Sequence, residues 1–282
     1  MEQIVRGIYY EDAYPGVVLG ALIFPHGTIF IDAPLRAEDA RTWRSLINEL
    51  SIGQNRMLIN LDAHLDRTIG ARALDCSIVA HQKTAQVFRN RPTIFKGQTN
   101  ESGAEWEVSN DVFGTRWALP DITFTHRLIV HWGLADTLLE HHPGPAPGSI
   151  WVIIPEEKVI FVGDTISLDQ PPFLASADLT AWIESLELLH SKYKDFTVVS
   201  GRSGPVGADQ AHAQLKMHKK ILLGLEKLAA RKAPPEATES LIAGILSDFS
   251  IPVKRREHYI QRLRHGLYYY YTQHYHTLEV IE

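Results

Sequence analysis

Met57–Leu58–Ile59 is an apolar run that breaks directly into Asn60–Leu61–Asp62–Ala63–His64–Leu65–Asp66–Arg67, ahead of Gly70. A short apolar run bounded by a polar break reads as a buried strand that ends in a loop. Helical periodicity lies on both sides of it. Upstream, Ala37, Ala40, Trp43, Leu46, Ile47 and Leu50 share one helical face, and a helix-like continuation follows Gly70. A strand set between helices belongs to a layered α/β arrangement. Asp62, His64 and Asp66 place a carboxylate or imidazole at every second position of the loop. Such a loop offers a metal or acid/base cluster. The same residue types also form turns and cap helices, and both readings stand at this point.

The rest of the chain extends the pattern. Strands are expected at Ile4–Tyr10, Val17–Phe24 and Thr28–Asp32, then a helix over 34–50, a short strand at Cys76–Ala80 and a helix at Thr84–Asn90. Residues 91–120, rich in Gly, Asn, Ser and Thr, read as a loop or flap. Strands resume at Ile122–Val130, Asp136–His141, Ser149–Ile154 and Lys158–Val162, the last two forming a hairpin through Pro155–Glu156–Glu157. A helix at Leu179–Lys192 and a strand at Phe196–Val199 lead into Ser200–Gly201–Arg202–Ser203–Gly204–Pro205. From Ala208 the pattern is helical, with helices at Gln210–Lys232, Glu236–Asp248 and Lys254–His276. The expectation is a domain over 1–207 and a helical extension over 208–282 that packs on it or at a subunit interface.

Charge and composition narrow the function classes. A net charge of −5 makes no electrostatic case for nucleic acid. The single Cys76 excludes an internal disulfide framework and a cysteine-rich metal knuckle. The start of the chain lacks a basic-then-apolar signal pattern, and no run approaches a membrane span. A cytoplasmic protein without nucleic-acid or membrane partners is expected.

Four segments, Ile59–Gly70, Pro143–Ser149, Phe161–Thr165 and Val198–Pro205, resemble the four metal-site loops of the metallo-β-lactamase superfamily. The resemblance covers roughly residues 3–205, with PGPAPGSIWV and VIFVGDTI as its most specific parts and Asp32 at the place of an acidic residue that commonly ends the family's third strand. It implies an α/β fold: a metallo-β-lactamase-like αββα four-layer sandwich, here with a helical C-terminal extension. The family's H-x-H-x-D-H loop reads Asp62–Ala63–His64–Leu65–Asp66–Arg67 in this chain. Its P-G-H-T-P-G-S loop reads Pro143–Gly144–Pro145–Ala146–Pro147–Gly148–Ser149, and Arg202 or Ser203 stands at the place of the last loop's histidine. Only His64, Asp66 and Asp164 keep the implied donor type, with Asp62 as a donor of another kind. Proline has no side-chain donor, and arginine stays protonated and repels a cation.

A binuclear zinc site is therefore not expected. The cofactor expectation is none, or one divalent metal (zinc, manganese or iron) on Asp62, His64 and Asp164. Three carboxylates converging in a cleft repel one another, and Arg67 and Arg202 could supply the missing positive charge through guanidinium–carboxylate bonds. Three functions follow: a small-molecule-binding protein with a degenerate metal site, in which Arg67, Arg202 and Ser203 are ligand-binding candidates; a metal-dependent hydrolase of esters, lactones or thioesters with Asp62 and Asp66 as catalytic candidates; or a non-catalytic scaffold that forms a homodimer through its C-terminal helices. Whether the chain is an enzyme is left open. His141 and His142 sit just before the Pro143 loop, and the resemblance places the family's ligand position three or four residues later, so neither is assigned as a ligand; the Tyr268–Tyr271 block reads as packing.

Overall fold

The computed structural model describes residues 1–51, 53–92, 94–95, 104, 107, 112–133 and 135–276. The first sheet begins with β1 (Glu2–Val5), β2 (Ile8–Glu11), β3 (Leu19–Phe24) and β4 (Gly27–Ile31), all antiparallel neighbours. The single strand expected at Ile4–Tyr10 is a hairpin, because Gly7 takes a left-handed φ of +83° and turns the chain. Helix α1 (Ala37–Leu50) then crosses to β5 (Asn55–Ile59), which pairs parallel with β4. A parallel neighbour needs such a crossover. Strand β6 (Ser77–His81), helix α2 (Gln82–Arg89) and β7 (Ile122–Phe124) complete seven strands in sequence order. Most of 96–111 lies outside the described residues, so the flap expected at 91–120 is seen only in part.

The expected strand Ile122–Val130 is two strands in different sheets. β7 closes the first sheet, and after Thr125–His126 the chain enters β8 (Arg127–Val130) of the second. That sheet continues through β9 (Thr137–His141), β10 (Ile150–Ile154) and β11 (Val159–Gly163). Helix α3 (Leu179–Ser191) leads to β12 (Thr197–Ser200), parallel to β11, and β13 (Gly204–Val206) forms an edge that sequence reasoning missed. Three further helices follow: α4 (Ala208–Ala230), α5 (Ile242–Leu246) and α6 (Arg256–His274). The helix expected at Glu236–Asp248 opens as a 3₁₀ turn over Pro235–Leu241 before α5 begins.

Strands β4, β10 and β11 are buried on both faces, which is why their sequences read as continuous apolar runs. Between the sheets, Leu22, Ile31 and Ile59 meet Ile150, Val152 and Phe161. On the outer side of the first sheet, Trp43 and Ile47 of α1 cover Leu19, Phe30 and Leu58. On the outer side of the second, Trp151, Ile153 and Ile160 lie under Trp182 and Leu186 of α3. The same cluster continues into Leu215 and Ile221 of α4 and Leu263, Leu267 and Tyr271 of α6. The layers are helix, sheet, sheet, helix, and the C-terminal helices are part of the last layer's core. Among the described residues, no helix is long and apolar enough to cross a membrane. Leu263 is fully buried, so Leu263→Ala should cost about 2–5 kcal/mol. Chemical denaturation should show that loss in one transition for the whole chain, because α6 shares the sandwich's core.

Candidate functional site

The site lies where β4, β5, β11 and β12 end. Asp32, directly after β4, has a left-handed φ of +59° and is wholly buried. Its backbone N–H donates to Ile59 O at 2.9 Å, and its Oδ1 accepts from the Leu61 N–H at 2.9 Å, tying the ends of β4 and β5 together. Asp62 Oδ1 accepts from the His64 N–H at 2.8 Å, and Thr68 Oγ1 donates to His64 O at 2.7 Å. Asp62 is thus a turn former with one oxygen and faces the site with the other. A 3₁₀ turn over Leu65–Arg67 then turns both Asp66 and Arg67 inward, with no exposure.

Arg67 is the centre of the arrangement. Its Nη2 is hydrogen-bonded to Asp164 Oδ1, and its Nη1 lies 3.3 Å from Asp32 Oδ2 and 3.4 Å from Asp62 Oδ2. Two glycines leave space for the guanidinium: a Cβ at Gly201 would lie 3.0 Å from both Nη atoms, and one at Gly163 would lie 3.1 Å from Nη1. Arg202, with a 1% exposed side chain, grips Asp164 with two bonds, Nε to Oδ1 at 2.9 Å and Nη2 to Oδ2 at 3.1 Å. Its Nη1 donates to Asp66 Oδ2 at 3.0 Å and to Gly16 O at 2.9 Å. The two sheets are therefore joined through charge: Asp32, Asp62, Asp66 and Arg67 come from the first, Asp164 and Arg202 from the second.

Burial raises the cost of each charge, and the partners decide the outcome. Burial alone would push the Asp62 carboxyl up, but Arg67 and then His64 hold it well below the usual carboxylate range. Asp164 is likewise lowered against its burial by Arg202 and Arg67. Asp32 goes the other way, because burial outweighs Arg67 and pushes it up to about 7. Four carboxylates share two guanidiniums here, leaving two negative charges in surplus. A proton on Asp32 removes one of them.

His64 stands at the second. Its Nδ1 lies 3.1 Å from Asp62 Oδ2 and 3.2 Å from Asp164 Oδ2, and the ligand atoms of these three residues all fall within 4.8 Å of one another. Asp62 Oδ2 and His64 Nδ1 are both buried without a well-formed hydrogen bond. The mouth of the site is filled by the segment after β11. Phe173 packs against His64 at 4.9 Å between ring centroids, and the remaining cavity, lined by Pro145, Asp164, Ser167, Pro172, Trp182 and Arg202, is about 10 Å³. That is room for about one water molecule. Described parts of the 91–120 stretch, Phe95, Val112 and Trp117, pack with Leu65 and Phe173 at the same mouth.

Other candidates have separate tasks. Ser203 Oγ accepts from the Leu168 N–H at 2.9 Å and so fixes the segment leaving the site. His141 stacks on His81 at 3.8 Å and hydrogen-bonds Pro147 O at 2.9 Å. His142 stacks on Trp151 at 3.7 Å. Both histidines anchor the 143–149 loop from outside the cluster, and burial depresses the basicity of each.

The sequence signature of the metallo-beta-lactamase superfamily matches residues 63–201, which carry Asp66, Arg67 and Asp164. The chain is a member of that superfamily. Solved structures share its fold. The stereoselective inverting sec-alkylsulfatase Pisa1 from Pseudomonas sp. superposes with a TM-score of 0.72 at 15% identity over 99% of this chain and 50% of that one. This chain thus spans half the length of the alkylsulfatase, with its C-terminal helices included in the match. The metallo-beta-lactamase from Pontibacter korlensis covers 77% of this chain and 97% of its own, with a TM-score of 0.56 at 17% identity. DIM-1 metallo-beta-lactamase covers 78% and 96%, with a TM-score of 0.60 at 17% identity. No curated protein matches the sequence.

Members of this superfamily typically hold zinc or another divalent metal, and the donors of this member fit one ion better than two. Asp62, His64 and Asp164 offer a carboxylate, an imidazole and a carboxylate at 3.1–3.2 Å from the shared Nδ1. Donors around a tetrahedral zinc are spaced by about 3.3 Å. Around Asp66 the partner is the Arg202 guanidinium, a fixed cation where a second metal would need a donor.

Sequence reasoning singled out the acids and arginines of this network. It missed Phe173 and Gly201, for which only a Pro171–Pro172–Phe173 run and a glycine before Arg202 gave a signal. Replacing Arg67 with methionine leaves buried carboxylates without their main counterion and should destabilise the fold by about 3–5 kcal/mol in urea titrations. The Asp32 shift has a definite sign. A carboxyl whose folded pKa is raised to about 7 loses stability for the fold as pH rises from its unfolded value near 4 toward 7. Asp32→Asn should therefore gain on the wild type between about pH 5 and pH 8, read as a growing difference in Tm between the two proteins.

Proposed function

We propose that this superfamily member has a degenerate metal site without a binuclear zinc centre, in which arginine charge has taken over the metals' electrostatic task, and that its old cleft binds a small molecule. The observation that carries the reading is the fully buried Arg67 guanidinium, in contact with Asp32, Asp62 and Asp164 at once. A guanidinium at that point neutralises the same carboxylates that a metal would, and it gives them no Lewis acid. The cleft side of the network keeps groups suited to a small polar ligand: Arg202, Ser167 and Trp182 line it together with Asp164.

A second reading is supported by the Asp62–His64–Asp164 cluster, where two buried polar atoms lack a well-formed hydrogen bond. These three residues would hold one divalent ion, with Asp66 beyond them held by Arg202. When bound, such an ion supplies Lewis-acid activation of an ester, lactone or thioester carbonyl. Arg67 would keep Asp62 and Asp164 ionised as ligands, and Phe173 would exclude water until a substrate displaced it.

Elemental analysis separates the two. Protein purified without chelator and then offered zinc, manganese or iron should retain clearly less than one equivalent of any of them. Arg67→His, which removes the fixed cation and adds a donor, should either raise zinc retention or lower stability. One full equivalent in the wild type, lost in His64→Ala and accompanied by chelator-sensitive ester or thioester hydrolysis, would replace the first reading by the second.

A further inference from the structure

Arg262 lies on α6, far along the chain from the site, yet it reaches the segment that fills the site's mouth. Its Nη1 donates to Gln170 Oε1 at 2.7 Å and to Pro171 O at 2.8 Å, and its Cζ lies 3.8 Å from the Phe173 ring centroid. Arg202 approaches the same ring, with its Cζ at 4.7 Å. A phenyl ring flanked by two guanidiniums and the His64 imidazole sits in a cation–π setting that is strengthened by desolvation. Arg262 itself is 3% exposed and stacks also on Tyr259 of its own helix at 4.8 Å.

This contact differs in kind from the core packing of α6. Leu263 and Leu267 would hold the helix on the sheet with or without Arg262, whereas the bonds to Gln170 and Pro171 act only on the segment over the site. Otherwise Ser167 Oγ donates to Gln170 O at 3.4 Å, and Pro171 and Pro172 are buried. Asp169 is exposed, Pro171 and Pro172 have no N–H to donate, and Leu168 is tied through Ser203 Oγ. With Phe173 in place, the residual cavity beside Asp164 is near 10 Å³, room for about one water molecule.

We propose that Asp169–Phe173 is a lid latched by Arg262, and that the Phe173 ring holds the place of the flat aromatic part of a small uncharged ligand. The proposal rests on the reading of the cleft as a small-molecule site. Whatever replaces the ring meets the surfaces that now bind it: the faces of two guanidiniums, which stack on an aromatic ring, and the apolar wall of Leu65, Phe95 and Val112 beside them. A neutral benzyl compound has such a ring and adds nothing to the surplus of carboxylate charge in the site.

Hydrogen exchange tests the latch without any ligand. In Arg262→Met, the Asp169, Gln170 and Phe173 amides should exchange roughly tenfold faster than in the wild type, while amides of β10 and β11 keep their protection. Gln170→Ala, which removes one acceptor from the lid side, should act in the same direction and serves if the first variant does not fold. Unchanged exchange at the three amides in a folded variant overturns the latch. Calorimetric titration with benzyl alcohol tests the occupant. Phe173→Ala should bind it saturably and at least about tenfold more tightly than the wild type, which must first open its lid, and should bind the phenylacetate anion more weakly, against the surplus of carboxylate charge. A folded Phe173→Ala that takes up neither probe, beside an Arg262→Met lid that opens, overturns the small-molecule reading of the cleft while the latch stands. Equal or tighter binding of phenylacetate overturns the uncharged character of the ligand.

Discussion

A guanidinium sealed from water is tolerated only where opposite charge surrounds it, because the desolvation of an unpaired ion costs several kcal/mol. Arg67 sits at such a point, and much of the surrounding structure can be understood from its needs. Asp32, Asp62 and Asp164 approach it from three loops. Gly163 and Gly201 carry no side chain because a Cβ at either place would press on the guanidinium. Arg202 shares Asp164 Oδ1 with Arg67, takes the remaining Oδ2 and adds Asp66 to the network. The ion pairs bridge the two sheets at the end of the sandwich where strand hydrogen bonds have run out.

The charges in this network are not fully balanced, and the imbalance explains its chemistry. Two arginines face four aspartates, so a proton or a cation has places to settle. Asp32, whose burial outweighs the pull of Arg67, holds its proton up to about 7. His64 stands between two carboxylate oxygens on the outer side, where a divalent ion would meet the same need. The closing of the mouth by Phe173, with Arg262 reaching in from α6, connects the helical extension to the site by a direct contact as well as through the shared core.

Much of this was readable before any coordinates. The D-x-H-x-D segment after an apolar run, the G-D-T after a second one, and the arginines at 67 and 202 pointed to the network's members and to their pairing. Continuous apolar runs identified β5, β10 and β11, because a strand buried on both faces has no polar alternation to obscure it. Short edge strands were harder. β7 and β8 merged into one expected strand, since a two-residue bend between β-rich stretches leaves no strong turn signal, and β13 hid in the Gly–Pro run after Arg202.

By itself, the sequence determined the layers and the chemical character of the site. Apolar periodicity selects strand or helix locally, and residue type decides which donors and cations are present at all: proline at 145 offers no side-chain donor, and arginine at 67 is a fixed cation. Only the tertiary structure decided which of those residues meet. Asp32, Arg67, Asp164 and Arg202 are separated by long stretches of chain, and their distances depend on how two sheets stack and where four strands end. The same holds for Phe173 and Arg262, whose contact crosses 89 positions of sequence. Such contacts follow from packing in three dimensions, which local pattern does not encode.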